Sequence, residues 1–143
     1  MIVYAESSAV LAWLLNEASQ SLVLAQLRTA DRVVSSSLTA AECARGLSRA
    51  RTAHRITRAH ELAALQILDR AEAGWDVHDL SESILKGTRA QFPIEPIRTL
   101  DALHLATALV FYETFGELTM LSFDERVRAN AAALGMALSP LSN

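Results

Sequence analysis

Cysteine is nearly absent from this 143-residue sequence: Cys43 stands alone, so no disulfide can form within the chain. Disulfides are rare in reducing compartments, and we therefore expect a cytoplasmic protein. The first residues contain no basic stretch followed by an apolar one, so we expect no signal peptide. The apolar run at residues 9–15 is too short to span a bilayer, so no membrane segment is expected.

An excess of basic charge is also missing. The formal net charge is −3 at pH 7, so the molecule as a whole does not attract nucleic acid, and any such binding must be local. No His or Cys residues have the spacing typical of a zinc site. No glycine-rich loop that would cradle a phosphate is present either.

Apolar residues, in contrast, make up 51% of the chain, which is enough to cover a core well. The length predicts one compact domain over residues 1–143. Predicted helices alternate with short apolar segments that predict strands, and this order favours an α/β sandwich around a parallel sheet. The strand segments are residues 2–5, 32–35, 118–123 and 136–138, with a further short strand possible at Val77.

A helix that is apolar nearly all round is predicted for the segment at residues 97–109. Leu100, Leu103 and Ala106 mark one buried face, and Thr99 is the expected N-cap. Asp101 then lies in the first turn, where the unpaired N–H groups and the helix dipole favour an ionised carboxylate. Asp101 at this position either serves only to start the helix or is a fixed anion at the floor of a cleft.

Three other acids allow a choice between these explanations. Glu6 and Asp124 follow predicted strands, and Glu42 lies in the first turn of a predicted helix. Ligands of parallel sheets bind at the carboxyl ends of the strands. Structural roles are open to two of them, because Glu42 could close a capping box on Thr39 and Asp124 could be an N-cap only. Gathered in one cleft, these acids would repel each other unless a cation such as Mg²⁺ or Mn²⁺ neutralised them.

Four short segments, in their order and spacing, resemble the PIN-domain ribonucleases, and the chain is most similar to the VapC toxins of bacterial toxin–antitoxin pairs. The Asp-Ala-Leu-His-Leu-Ala-Thr-Ala segment at residues 101–108 is the most specific of them. The others are residues 3–9, 37–42 and 121–124. The resemblance covers nearly the whole chain and implies a PIN-like three-layer α/β/α sandwich with a central, mainly parallel sheet.

The resemblance also implies a site and an activity, namely endonucleolytic cleavage of RNA by a water molecule that a metal ion activates. Its catalytic residues would hold one or two Mg²⁺ or Mn²⁺ ions, with two main ligands, Glu6 and Asp101, completed by Glu42 and Asp124. Ser8 matches the hydroxyl that the family has near the first acid. One position departs from the family, which usually carries Asp where this chain has Glu6, and the extra methylene moves that carboxylate outward.

Basic residues are concentrated between Cys43 and His60, where five arginines and no acids occur. Guanidinium groups suit phosphate contacts, and we expect Arg45 and Arg49 to position the substrate. The alternative is a solvated helix face. His104, three residues after Asp101, is expected to be a packed, hydrogen-bonded histidine rather than a general base.

The resemblance further implies a homodimer and a cognate VapB-like antitoxin that places an arginine or similar group at the acids. Two other functions remain open at this point. The chain could be a catalytically weak or inactive PIN-like domain that binds RNA or a protein partner. It could also be a hydrolase of small phosphomonoesters that uses the same acids.

Overall fold

The computed structural model describes residues 1–141. Within that range five strands form a single sheet in the order β3-β2-β1-β4-β5, and each of the four pairings is parallel. The carboxyl ends of the strands therefore meet at one edge of the sheet. The strands are β1 (Ile2–Ala5), β2 (Arg32–Ser36), β3 (Asp76–His78), β4 (Thr119–Leu121) and β5 (Ala137–Ser139).

Helices connect these strands and cover both faces of the sheet. In the described part of the chain they are α1 (Ser7–Leu14), α2 (Gln20–Thr29), α3 (Ser37–Thr52), α4 (Arg58–Ala73), α5 (Glu82–Gly87), α6 (Thr99–Phe115) and α7 (Glu125–Ala133).

Alternation of side chains along β1 separates the two helical layers. Tyr4 points to the layer of α6 and α7, where it packs in one cluster with Leu105 and Val127. Ala5 points the other way, into a cluster with side chains of α1, α3 and α4 such as Val10 and Leu47. The predicted three-layer α/β/α sandwich is thereby confirmed, and the sheet is parallel throughout the described residues.

Helix α6 crosses the interior, as its apolar sequence predicts, and every residue from Ala102 to Ala108 is buried. Two details of the prediction were wrong. The N-cap is Arg98 rather than Thr99, and Leu100 is 46% exposed because the first turn lies outside the core. The helix ends at Gly116, whose φ of 76° is the left-handed conformation that glycine adopts without strain.

In two surface helices the spacing of the leucines predicts a buried stripe that the structure shows only in part. The predicted stripes are Leu22, Leu24 and Leu27 in α2 and Leu62, Leu65 and Leu68 in α4. In α2 the buried residue is Val23, while Leu22 is 41% exposed. In α4, Leu68 is buried as predicted but Leu62 is 47% exposed. Each helix contacts the molecule along a narrow line, and the neighbouring elements determine where that line falls.

A buried arginine on α7 fixes the ends of the last two strands. Arg128 donates hydrogen bonds to the carbonyl oxygens of Ser122 (2.9 Å), Ser139 (3.1 Å) and Pro140 (2.6 Å). These bonds hold residues 122–124, which follow β4, in a set position at the carboxyl edge of the sheet. No helix among residues 1–141 is long and apolar enough to cross a membrane.

Candidate active site

A cleft of about 470 Å³ opens at the carboxyl edge of the sheet. The structure brings six of the seven predicted site residues to it, namely the four acids with Ser8 and Arg49. The seventh, Arg45, is exposed one turn along α3 from Glu42 and is not among the described residues that line the cleft. The full lining is Glu6, Ser7, Ser8, Leu11, Glu42, Arg49, Arg98, Thr99, Leu100, Asp101 and Asp124.

Glu6 follows β1 directly and occupies the N-cap position of α1, but its side chain does not cap the helix. The residue is only 5% exposed, and its Oε2 accepts hydrogen bonds from the Ser8 hydroxyl and from the Ser122 hydroxyl at 2.6 Å. The Ser8 hydroxyl in turn accepts a hydrogen bond from the backbone N–H of Phe123 at 2.9 Å, and the Ser122 hydroxyl accepts one from that of Asp124 at 3.1 Å. The longer Glu side chain therefore has a defined position, tied to the loop that carries the fourth acid.

Glu42 does not form the capping box on Thr39 that the sequence allowed. Helix α3 begins three residues earlier than such a box requires, with Ser36 rather than Thr39 as the N-cap, so Glu42 lies in the second turn. Its Oε1 accepts a hydrogen bond from the Ser7 hydroxyl at 2.6 Å and lies 2.5 Å from His104 Nε2. Partial burial raises the pKa of Glu42, but the bonds to His104 and Ser7 and the nearby Arg49 charge outweigh burial and lower it overall.

His104 is a packed, hydrogen-bonded histidine, as predicted. It is 1% exposed, and its Nδ1 lies 2.9 Å from the Tyr4 hydroxyl. On the other side of the ring, Nε2 lies 2.9 Å from the Ser7 hydroxyl and 3.9 Å from Glu6 Oε1, in addition to its contact with Glu42. The imidazole thus stands between two of the acids.

Asp101 and Asp124 form the second half of the cleft. Burial and the negative charge of Asp124 raise the pKa of Asp101, although a hydrogen bond from the Arg98 backbone lowers it in part. Asp124 is the N-cap of α7, since its Oδ1 accepts the N–H groups of Arg126 and Val127 at 3.0 Å each. Asp124 therefore caps α7 and lines the cleft at the same time.

Two arginines lie on the walls of the cleft, Arg49 on α3 and Arg98 at the start of α6. Both are exposed and could contact an anionic ligand. Other arginines of the basic segment are occupied elsewhere, because Arg51 and Arg58 form ion pairs with the buried Glu61. The segment as a whole is therefore not one continuous surface for RNA.

The donor chemistry of the cleft suits a hard divalent cation, since it offers carboxylate oxygens and hydroxyls and no thiolate. Burial and, after it, the negative charge of Asp124 raise the pKa of Asp101, and a bound cation would offset that charge. Over residues 1–141, no three His, Cys, Asp or Glu side chains lie close enough together to hold a metal ion as they stand. Glu42 and one oxygen of Glu6 are instead bonded to donors of the protein.

Sequence reasoning missed Ser7, Ser122 and Arg98. Ser7 and Ser122 each lie within two residues of a predicted acid, at a strand end, and this position was their available signal. Arg98 directly precedes the predicted N-cap of α6. No local pattern indicated the contact between Glu42 and His104, which are 62 residues apart.

A parallel sheet with four acids at its carboxyl edge is what the PIN domain is expected to contain, and the model of the PIN domain family matches residues 3–133. The chain belongs to the PIN-domain family. Within it, the chain is 36% identical over 140 residues to Ribonuclease VapC46 of Mycobacterium tuberculosis (strain ATCC 25618 / H37Rv), which covers 95% of both chains. This similarity places it among the VapC ribonucleases, whose members generally use a divalent metal ion.

Solved structures support the same fold. The crystal structure of Mycobacterium tuberculosis VapC20, described as a Sarcin-Ricin loop cleaving toxin, matches with a TM-score of 0.62 at 14% identity, over 90% of this chain and 94% of that one. The structure of FitAB bound to the IR36 DNA fragment matches with a TM-score of 0.63 at 17% identity, over 100% and 99% of the two chains.

Proposed function

We propose that this chain is the toxin of a VapBC-type toxin–antitoxin pair and acts as a metal-dependent endoribonuclease. The observation that carries the proposal is the convergence of Glu6, Glu42, Asp101 and Asp124 on one cleft from four separate parts of the chain. The similarity to Ribonuclease VapC46 over 95% of the chain supports RNA as the substrate. We expect the activity in the cytoplasm, where cellular RNA is found.

Glu6, Asp101 and Asp124 would hold Mg²⁺ or Mn²⁺, with Glu42 completing the site. A bound divalent ion supplies a water molecule of lowered pKa and offsets charge on the phosphate oxygens. The chain's own residues then do the positioning. Asp101 is directed into the cleft by the first turn of α6, and Ser8 and Ser122 hold the Glu6 carboxylate against rotation.

The RNA backbone would be held beside these acids by the two arginines that line the cleft, Arg49 and Arg98. Two positive groups beside a cluster of acids provide local attraction for phosphate in a molecule of net charge −3. Arg45, which lies outside the cleft, would contribute at most to the approach of the RNA.

We also propose a VapB-like antitoxin and a homodimer, as in the family that the chain resembles. An arginine of an antitoxin would pair with the same carboxylates that hold the cation. Inhibition would then be a competition between guanidinium and metal for one set of oxygens.

The test is cleavage of a structured RNA by the purified protein with Mg²⁺ or Mn²⁺, with and without a chelator. We expect cleavage that the chelator stops, and a loss of at least ~100-fold in Asp101→Asn, since a metal ligand contributes several kcal/mol to the transition state. Asp69→Asn, the same change at an exposed position on α4, is the matched control and should cleave normally.

Intact RNA with each metal would instead favour a PIN-like domain that only binds RNA or a protein. Turnover of a free phosphomonoester in place of RNA would favour a small-substrate phosphatase.

A further inference from the structure

One of the four acids, Glu42, ends a buried series of hydrogen bonds that starts in the core of the molecule. It runs from Tyr4 on β1 through His104 on α6 to Glu42 on α3, with Ser7 of α1 bonded to the same carboxylate oxygen. Tyr4 and His104 are 0% and 1% exposed, and each of these three hydrogen bonds has a donor–acceptor distance of 2.9 Å or less. Four elements of the fold are thus joined at one side chain of the cleft.

The partners of His104 determine which of its ring nitrogens carries the proton. Glu42 as a carboxylate can only accept, so Nε2 must be the N–H donor to Oε1. The Ser7 hydroxyl also donates to Glu42 Oε1. The Ser7 oxygen can therefore accept from the His104 Nε2–H, which is then shared between Ser7 and Glu42. Nδ1 lies 2.9 Å from the Tyr4 hydroxyl, which can donate to a bare Nδ1 or accept from a protonated one and in both cases fixes the orientation of the ring.

This arrangement restricts the carboxylate of Glu42 in a particular way. Oε1 is engaged by two donors, so Oε2 is the oxygen that is not committed to them. A Glu side chain has three rotatable bonds, and the Glu42 side chain is 27% exposed, so packing alone does not hold it. The hydrogen bonds from His104 and Ser7 supply the missing restraint.

We propose that His104 is a positioning residue that acts through Glu42, holding this carboxylate in the one orientation in which it can complete the cation site. The imidazole is oriented in turn by Tyr4. Protein groups that orient the ligands of a metal typically contribute 10- to 100-fold to its affinity or to activity, and we expect an effect of about this size. The inference rests on the proposed function, because it assumes that the acids hold a cation.

The test uses two substitutions that each preserve half of the ring's hydrogen bonding. In His104→Gln the amide can reach the place of Nε2 and donate to Glu42, whereas in His104→Asn the amide reaches only the place of Nδ1, near Tyr4. Both variants lose the aromatic ring, and His104→Asn leaves a gap that is larger by one methylene. A purely structural role would therefore lower the melting temperature of both variants without a selective loss of Mn²⁺ affinity in His104→Asn.

The first readout is the affinity of the RNA-free protein for Mn²⁺, measured by calorimetry, and the second is kcat for RNA cleavage. We expect His104→Asn to lose about 10- to 100-fold in both, with KM little changed, and His104→Gln to recover most of the loss. Equal losses in the two variants, or no loss in either, would overturn the proposal.

A third variant covers the case in which a change at His104 prevents folding. Tyr4→Phe retains the ring that packs in the core but removes the hydroxyl that orients Nδ1. We expect a several-fold loss of Mn²⁺ affinity, and unchanged affinity would overturn the proposal. If the wild type binds Mn²⁺ but leaves RNA intact, the proposed function fails while the comparison of affinities still decides the role of His104.

Discussion

The four acids of the cleft differ in how their carboxylates are held. Glu6 is bound by two serine hydroxyls, Glu42 by His104 and Ser7, and Asp124 by the backbone of the helix that it caps. Asp101 is different, because burial and the charge of Asp124 make its ionised form unfavourable and raise its pKa. Asp101, one of the two main ligands in the proposed metal site, is thus the acid whose ionised form lowers the stability of the fold.

Asp101→Asn should therefore raise the melting temperature at neutral pH while it abolishes cleavage. The pKa of Asp101 is raised in the folded protein, so ionisation destabilises the fold, and the cost appears as pH rises above the ordinary value of 3.8. Asn retains an oxygen to accept the Arg98 bond. The advantage of the variant over the wild type should shrink as pH falls and the wild-type carboxyl becomes protonated.

The measurement is thermal unfolding in a chelator across this pH range, with Asp79→Asn as the exposed control that should show no such gain. A lower melting temperature for Asp101→Asn at neutral pH would contradict this account of Asp101. Addition of Mn²⁺ should stabilise the wild type and not the variant, since only the wild type retains this ligand.

At the scale of helices and strands, most of the fold could be predicted from the periodicity of the sequence. The parallel sheet follows from short apolar segments that alternate with helices, and α6 stands out because it is apolar on all sides. The acids could be placed at strand ends and at a helix start by the same reasoning. Their convergence then follows from the parallel arrangement of the strands, which puts those ends at one edge.

Boundaries and buried faces could not be predicted as well. Helix α3 begins at Ser37 rather than at the apparent capping box, because Ser36 accepts the Leu38 N–H and ends β2 at the same time. In α2, Val23 is buried and Leu22 is exposed because Val23 packs against Val3, Ala9 and Leu121, which come from other elements. Such contacts are between segments distant in the chain, so no local pattern records them.

The same limit applies to the partners of the acids. The contact of Glu42 with His104 and that of Glu6 with Ser122 join residues 62 and 116 positions apart. Residue type and approximate place in the cleft are visible in the sequence. The hydrogen bonds that orient each carboxylate are visible only in the folded protein.

At the scale of the whole molecule, a net charge of −3 means that attraction for RNA must come from a few groups. Two of the five arginines in the arginine-rich segment are already paired, because Arg51 and Arg58 form ion pairs with Glu61 between α3 and α4. The cleft retains Arg49 and Arg98. We therefore expect weak, local and salt-sensitive binding rather than a broad basic surface.

Arg49→Ala should weaken RNA binding and reduce its dependence on salt. Each phosphate contact in a single strand contributes about 0.7 to the slope of log affinity against log salt, and the variant should lose about that amount. The measurement is RNA binding over a range of salt concentrations, in the Asp101→Asn background to prevent cleavage. Arg45→Ala, one helical turn away on α3 but outside the cleft, is the matched control and should change the slope less. A larger effect of Arg45 than of Arg49 would contradict the assigned RNA path.

The central claim is that acids from four parts of the chain bind one or two divalent ions in this cleft. The most direct test is a crystal structure of the protein grown with Mn²⁺, with the ion located by its anomalous scattering. We predict an anomalous peak between Asp101 and its neighbouring acids that is lost in Asp101→Asn. RNA cleavage that persists in chelator, by a protein whose Mn²⁺-grown crystals show no ion in the cleft, would contradict it.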